Sequence, residues 1–360
     1  GVLERFASAA GATGRHEEAA EALERFVGVL EERDSESVTL DDISAENRIA
    51  IKLAGIYDEK LKRRDLAIKC YEKVLPFEME NLELLKDMER LYEAQGMHEP
   101  LVGICLREAE LSWEIESRKS LLLKAASIQE DILNNRGEAI INYKQALSLD
   151  ETDAAVYGKL QSAYEKEGLW EELKNLLIKK TSLYSGDKDV SDAEFKIGSV
   201  YRDRLGDGRS AAAYFLRAFR RSRENSAALE ALEEILFSET GRAADIGKDI
   251  VSFLEKYYEE RSDYLKLLSI YRIQKEMLRD PAAVRDMNLK IAGLLESKIN
   301  DRKGAFITLC EAVSENPQDA NLIARAEEVA GELGMVREFA ECLLDASHNH
   351  PITVEMALLT

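Results

Sequence analysis

The sequence predicts an all-α solenoid of antiparallel helix hairpins, and three observations lead there. The chain matches itself at a shift of 72 residues. Its apolar positions fall three or four apart, the spacing of one helical face. Polar clusters rich in Gly, Asn or Asp interrupt that spacing at regular intervals, as turns between helices require. Fixed-period self-similarity marks stacked units, none of which buries its apolar face alone.

Taken in order, Gly1-Val2-Leu3-Glu4-Arg5-Phe6 already reads as helix. The polar stretch from Asp34 to Asp42 lengthens the first connection and is expected to be a loop, residues 34–43. The first copy of the period begins at Leu53-Ala54-Gly55-Ile56-Tyr57 and continues through Leu61, Ala67, Tyr71, Val74 and Leu75. The second reads Ala125-Ala126-Ser127-Ile128-Gln129, then Leu133, Ala139, Tyr143, Ala146 and Leu147. The third reads Ile197-Gly198-Ser199-Val200-Tyr201, then Leu205, Ala211, Phe215, Ala218 and Phe219. A fourth follows after 94 residues rather than 72: Ile291-Ala292-Gly293-Leu294-Leu295, then Ile299, Ala305, Leu309, Ala312 and Val313.

Each period holds two hairpins. The second is marked by Tyr92, Gly96, Met97 and Leu101, then by Tyr164, Gly168, Leu169 and Leu173, and near the end by Ala330, Gly334, Met335 and Phe339. The small residues Ala54, Ala126, Gly198 and Ala292 let a neighbouring helix approach, and Tyr71, Tyr143, Phe215 and Leu309 fill the space between hairpins. Pro317 closes a helix it cannot continue. The 22 residues in excess before the fourth copy read as one inserted helix, either Ala227–Phe237 or Asp245–Glu259. That insertion suggests a first array over 1–240 and its continuation over 241–360, with a joint near 240–262.

The helix pattern of a small residue followed three later by Tyr, then Ala-x-x-x-Tyr/Phe-x-x-Ala-Leu, resembles the tetratricopeptide repeat (TPR) across nearly the whole chain. It is similar in particular to the long paired-hairpin TPR arrays of large bacterial proteins. Two departures are regular. Hairpin spacings alternate at 35 and 37 because the first turn of each pair holds an extra residue, and the Trp that often opens the repeat is absent. The resemblance implies a right-handed superhelix whose concave groove, lined by first helices, binds a segment of another protein. It implies no chemistry and no cofactor.

Charge narrows the partner. With 49 basic against 69 acidic residues the net charge is −20, which argues against nucleic acid or an anionic membrane surface. No apolar run approaches the length of a membrane-spanning helix. Cys70, Cys105, Cys310 and Cys342 are scattered without close pairing and read as small buried hydrophobes, a usage that fits a reducing, cytoplasmic setting. No signal peptide is present, but the chain reads as part of a larger protein, so its absence says little.

Against that acidic background, the first helices carry Lys52, Lys124, Lys159, Lys196, Lys290 and Arg325 at one equivalent position, with only Asp87 breaking the series. The resemblance places this position in the groove, where a ladder of cations would bind the carboxylates of an acidic partner segment. The competing expectation is local neutralisation by Glu59, Asp131 and Asp203, two turns further along the same helices. Phe195, Tyr157 and Leu123 are candidate apolar contacts beside the ladder.

Metal and catalytic sites are not expected. His348 and His350 with Cys342 lack zinc-ligand spacing. Asp187-Lys188-Asp189-Val190-Ser191-Asp192 lacks the Gly and closing Glu of a calcium loop and reads as a polar inter-repeat loop. No nucleophile-elbow or phosphate-loop motif occurs. The expectation is thus a non-catalytic protein-interaction scaffold without cofactor. Alternatives are a regulatory or sensor arm of a larger effector protein, or a self-assembling array joined through terminal repeats whose Val2, Leu3, Phe6, Met356, Leu358 and Leu359 lack polar caps.

Overall fold

The computed structural model describes residues 2–31, 40–238 and 245–349. Among them lie nineteen α-helices and no strand. In order they are α1 (Val2–Ala12), α2 (His16–Glu31), α3 (Leu40–Gly55), α4 (Arg64–Val74), α5 (Leu82–Gln95), α6 (His98–Leu111), α7 (Ile115–Asp131), α8 (Arg136–Leu149), α9 (Ala154–Glu167) and α10 (Trp170–Thr181). There follow α11 (Asp187–Asp203), α12 (Gly208–Arg221), α13 (Ser226–Phe237), α14 (Asp245–Glu260), α15 (Tyr264–Met277), α16 (Pro281–Leu294), α17 (Arg302–Glu315), α18 (Ala320–Leu333) and α19 (Val336–Asn349). Of the loop expected over 34–43, residues 34–39 lie outside the described residues, and α3 has already begun at Leu40.

Side-chain caps repeat with the period. Asn81, Asp153 and Asn225, each 72 apart, accept hydrogen bonds from backbone N–H groups two or three residues on. Asn135, Asp207 and Asp301 do the same in the other hairpin type. Each satisfies a donor the first helical turn leaves open.

The turns distinguish the two hairpins. In the first type, Lys62, Asn134, Gly206 and Asn300 all take a left-handed backbone, and the next N–H bonds the carbonyl six residues back. Those bonds are Arg63 to Tyr57, Asn135 to Gln129, Asp207 to Tyr201 and Asp301 to Leu295, at 2.7–2.9 Å. The extra residue is thus absorbed as a widened turn, wound as π-helix at Ile56–Lys60 and Leu295–Ile299. In the second type, Gly96, Gly168 and Gly334 are left-handed and the bond spans five residues, from Met97 to Tyr92, Leu169 to Tyr164 and Met335 to Ala330.

This difference bears on the two candidates for the inserted helix. The α14–α15 turn has left-handed Ser262 and a bond from Asp263 to Tyr258, the second type, with Tyr258 standing 72 residues before Ala330. The α14–α15 pair therefore turns as a second hairpin, while α13 opens on Asn225, in the 72-residue cap register of Asn81 and Asp153.

The chain divides into two compact units, Gly1–Leu176 and Leu177–Thr360. In the first unit, α1–α7 share a core that includes Leu53, Tyr57, Leu85, Met88, Leu101 and Cys105. In the second, one core runs from Ala211 to Ala346. The joint expected near 240–262 falls inside this second unit, where Phe219 of α12 packs edge-to-face on Phe253 and Tyr257 of α14.

The small-residue positions are close contacts, as expected. Ala54, Ala126, Gly198 and Ala292 are buried, and so are Tyr71, Tyr143, Phe215 and Leu309. Gly198 is obligatory in size, since a Cβ there would lie 2.6 Å from the Phe215 ring and 3.2 Å from the Ala211 carbonyl. One expectation is corrected: Asp187–Asp192 forms the first turns of α11, not a loop. Its acidic residues face the helix N-terminus, where negative charge is favoured, and Ser191 is buried with its hydroxyl donating to the Ala218 carbonyl.

Candidate interaction surface on the first helices

In the first unit the ladder holds Lys52, Lys124 and Lys159. Lys52 is exposed on α3, at a hollow formed with Ala7, Ser8 and Gly11 of α1, Leu23 of α2, and Glu59. Lys124 of α7 reaches back to α5, where its Nζ lies 2.7 Å from Glu89 Oε1 and 2.6 Å from Glu93 Oε2. Burial disfavours its charge, but these bonds outweigh that and raise its pKa. Lys159 of α9 donates to Ser127 Oγ at 3.2 Å and lies 5.8 Å from the centre of the Tyr143 ring. Asp87, which interrupts the series, accepts from the Tyr71 hydroxyl and from Arg90.

In the second unit, Lys196 is exposed on α11. Lys290 of α16 lies 5.9 Å from the Tyr271 ring centre. Arg325 of α18 is held between Glu296 and Glu328. The six rungs thus fall into different settings. Lys124 and Arg325 are tied to carboxylates, whereas Lys159 and Lys290 have no ion pair among the described residues and rest against aromatic rings.

At Lys124 and at Asp203, neutralisation takes another route than the one expected. Lys124 bonds glutamates of the preceding first helix instead of Asp131 two turns on, and Asp203 pairs with Arg202. A series of cross-helix pairs accompanies the ladder, one residue after the Tyr57 position. Asp58 pairs with Arg90 and Glu130 with Lys166 in the first unit; Arg202 pairs with Glu234 and Glu296 with Arg325 in the second. Asp58 and Glu130 are nearly buried, so these pairs fix how successive first helices sit. Charged residues at 58, 130 and 202, spaced by the period, were the available signal for this lattice. Sequence spacing alone did not say which helix answered them.

Beneath Lys124 lies a buried carboxyl that the sequence did not flag. Glu108 of α6 is 3% exposed, and its Oε1 has no hydrogen-bond partner. Burial first, then the neighbouring Glu89 carboxylate, pushes its pKa up to about 7. Cys105 is packed beside Glu89, and burial raises its thiol to about 12.

The candidate apolar contacts separate. Tyr157 is fully buried and offers no surface, Phe195 packs on Phe215 with ring centres 5.3 Å apart, and Leu123 is half-buried. Cys70 and Cys105 behave as packed thiols, burial raising Cys70 to about 11. His350 and the side chain of His348 lie outside the described residues, as do Met356, Leu358, Leu359 and the side chains of Val2 and Leu3. Among the described residues no group of three or more His, Cys, Asp or Glu is placed to hold a metal ion, and no helix is long and apolar enough to cross a membrane.

No family model and no curated protein matches the chain. Solved structures do, and the resemblance to TPR proteins recurs among them. MamA is 21% identical over 50% of this chain and 94% of its own, with a TM-score of 0.29. YrrB, described as a TPR protein with an unusual peptide-binding site, is 15% identical over 59% of this chain and 99% of its own, with a TM-score of 0.29. The TPR2AB domain of yeast Sti1, solved in a pHSP90 complex, is 16% identical over 65% of this chain and 91% of its own, with a TM-score of 0.32. At such values the architecture rests on the chain's own repeats, turns and cores.

Proposed function

We propose that the chain is a non-catalytic protein-interaction scaffold that holds an acidic segment of a partner protein along its first-helix faces. The observation that carries this reading is one lysine in each unit, Lys159 in the first and Lys290 in the second. Each places its ammonium over a tyrosine ring without a carboxylate in ion-pair range, in a chain of net charge −20. An unpaired ammonium at a fixed position attracts carboxylate without first giving up a partner. Lys52 and Lys196, exposed at the equivalent position, extend the surface in their own units. Lys124 and Arg325 contribute differently, holding the helices that present their neighbours. Stacked preformed helices bind without ordering themselves, so little contact energy is lost to entropy.

The test is capture of partners from the source cell on the immobilised chain, comparing wild type with K159E/K290E at low and moderate salt. The proposal expects an acidic partner that is lost both on charge reversal and as salt rises. A partner retained equally by the variant, or held independently of salt, would overturn it.

A further inference from the structure

A second cationic feature lies away from the ladder, on the second unit. Helix α12 ends in Arg217, Arg220 and Arg221, with Arg223 just beyond. Two of these are neutralised within the fold. Arg217 lies 2.7 Å from the buried Glu194, and Arg221 lies 3.3 Å from Asp187 and 3.6 Å from Glu194. The other two turn onto α14. Arg220 lies 5.2 Å and Arg223 4.7 Å from the Phe253 ring centre, with Arg223 also 5.6 Å from that of Tyr257. Arg261, at the end of α14, lies 5.3 Å from the Tyr257 ring centre. All three are exposed, and none has an ion pair among the described residues.

The rings beneath them are fixed. Phe219 is fully buried and meets Phe253 and Tyr257 edge-to-face, at 5.9 and 5.0 Å between centres. A guanidinium stacked on a ring keeps the N–H donors along its edge available, and that edge matches a carboxylate in bidentate fashion. Stacking also removes part of the rotamer freedom that binding would otherwise have to suppress.

We infer that Arg220, Arg223 and Arg261, seated on Phe253 and Tyr257, form a docking site for an acidic segment of a partner protein, separate from the first-helix ladder. Charge complementarity selects this occupant. Three closely spaced guanidiniums match a few carboxylates on a short segment. A nucleic acid would bring a long run of phosphates against a chain of net charge −20. The site stands whether or not the ladder binds, because no rung contributes to it.

The experiment measures anisotropy of a short fluorescent oligoglutamate peptide titrated with the full chain, alongside a thymidine oligonucleotide of equal charge. Variants are R220E/R223E, R220K/R223K and, as control for the ladder, K159E/K290E. The inference expects R220E/R223E to weaken peptide binding by roughly tenfold or more, since two charge-assisted contacts become repulsive. It expects R220K/R223K to weaken binding several-fold despite unchanged charge, since lysine lacks the planar fork. Unchanged peptide affinity in R220E/R223E overturns it, as does no peptide binding by wild type. Tighter binding of the oligonucleotide would identify a nucleic-acid site and overturn it too. Light scattering on wild type and R220E/R223E completes the test. Self-association abolished by the charge reversal would assign the patch to a second copy of the chain, against the inference.

Discussion

Glu108 gives a prediction whose sign and size come directly from its surroundings. Its carboxyl is buried at 3% exposure, with one oxygen unpartnered and Glu89 alongside. The folded state therefore holds the proton up to about pH 7, whereas an unfolded glutamate releases it near 4.5. Between those values the folded chain binds more protons than the unfolded one, so stability falls as pH rises through this window. Fully ionised, the penalty approaches about 3 kcal/mol, taking ~1.36 kcal/mol per pH unit. Replacing Glu108 with Gln removes the ionisation at nearly constant volume. The assay is hydrogen exchange of peptides covering α6, because a stacked array opens locally. At about pH 8, E108Q should protect α6 by up to about a hundredfold relative to wild type, the exchange equivalent of that penalty. The gap should close as pH falls toward 4.5. Equal protection of both proteins across the range, or a gap that widens in acid, would refute the reasoning.

Three further outcomes follow from the packing. G198A should destabilise the second unit by about 1–3 kcal/mol through overpacking against Phe215, and F215L in the same chain should recover much of it, read by thermal unfolding. K166A should cost about 1–3 kcal/mol, since it removes the cation from buried Glu130 while leaving the Tyr143 hydroxyl bond. That loss should appear as faster exchange in α7 and α9; unchanged exchange would contradict the pair's role. Cys105, whose thiol is raised to about 12 by burial, should resist alkylation at about pH 8 until the chain is unfolded. Rapid labelling of the native protein would contradict that packing.

The fold was legible because the repeat is carried by residues whose size or backbone freedom decides local geometry. Ala54, Ala126 and Gly198 mark close helix contacts, and Gly96, Gly168 and Gly334 mark left-handed turns. The widened turns were readable as an extra residue, but their six-residue hydrogen bond was not, because Lys62 is an unusual occupant of left-handed backbone. The inserted helix stayed ambiguous for a related reason. Both candidates carry a sound apolar pattern, and each keeps one mark of the period, the cap Asn225 before α13 and the five-residue turn at Ser262 after α14. On the interaction surface, one cation per first helix was visible, but its partner was not. Lys124 finds Glu89 and Glu93 on another helix, a choice set by packing between hairpins. The arginine–aromatic patch went unseen because its parts, Arg220, Arg223, Phe253 and Arg261, come together across α13.

The most direct test of the first-helix reading is zero-length crosslinking between lysine amines and partner carboxylates, on the complex of the full chain with its captured partner. The account predicts crosslinks from partner Asp or Glu residues to Lys159 and Lys290 on the first helices. Crosslinks confined to second-helix lysines such as Lys69, Lys144 and Lys303 would place the partner on the opposite face and contradict it.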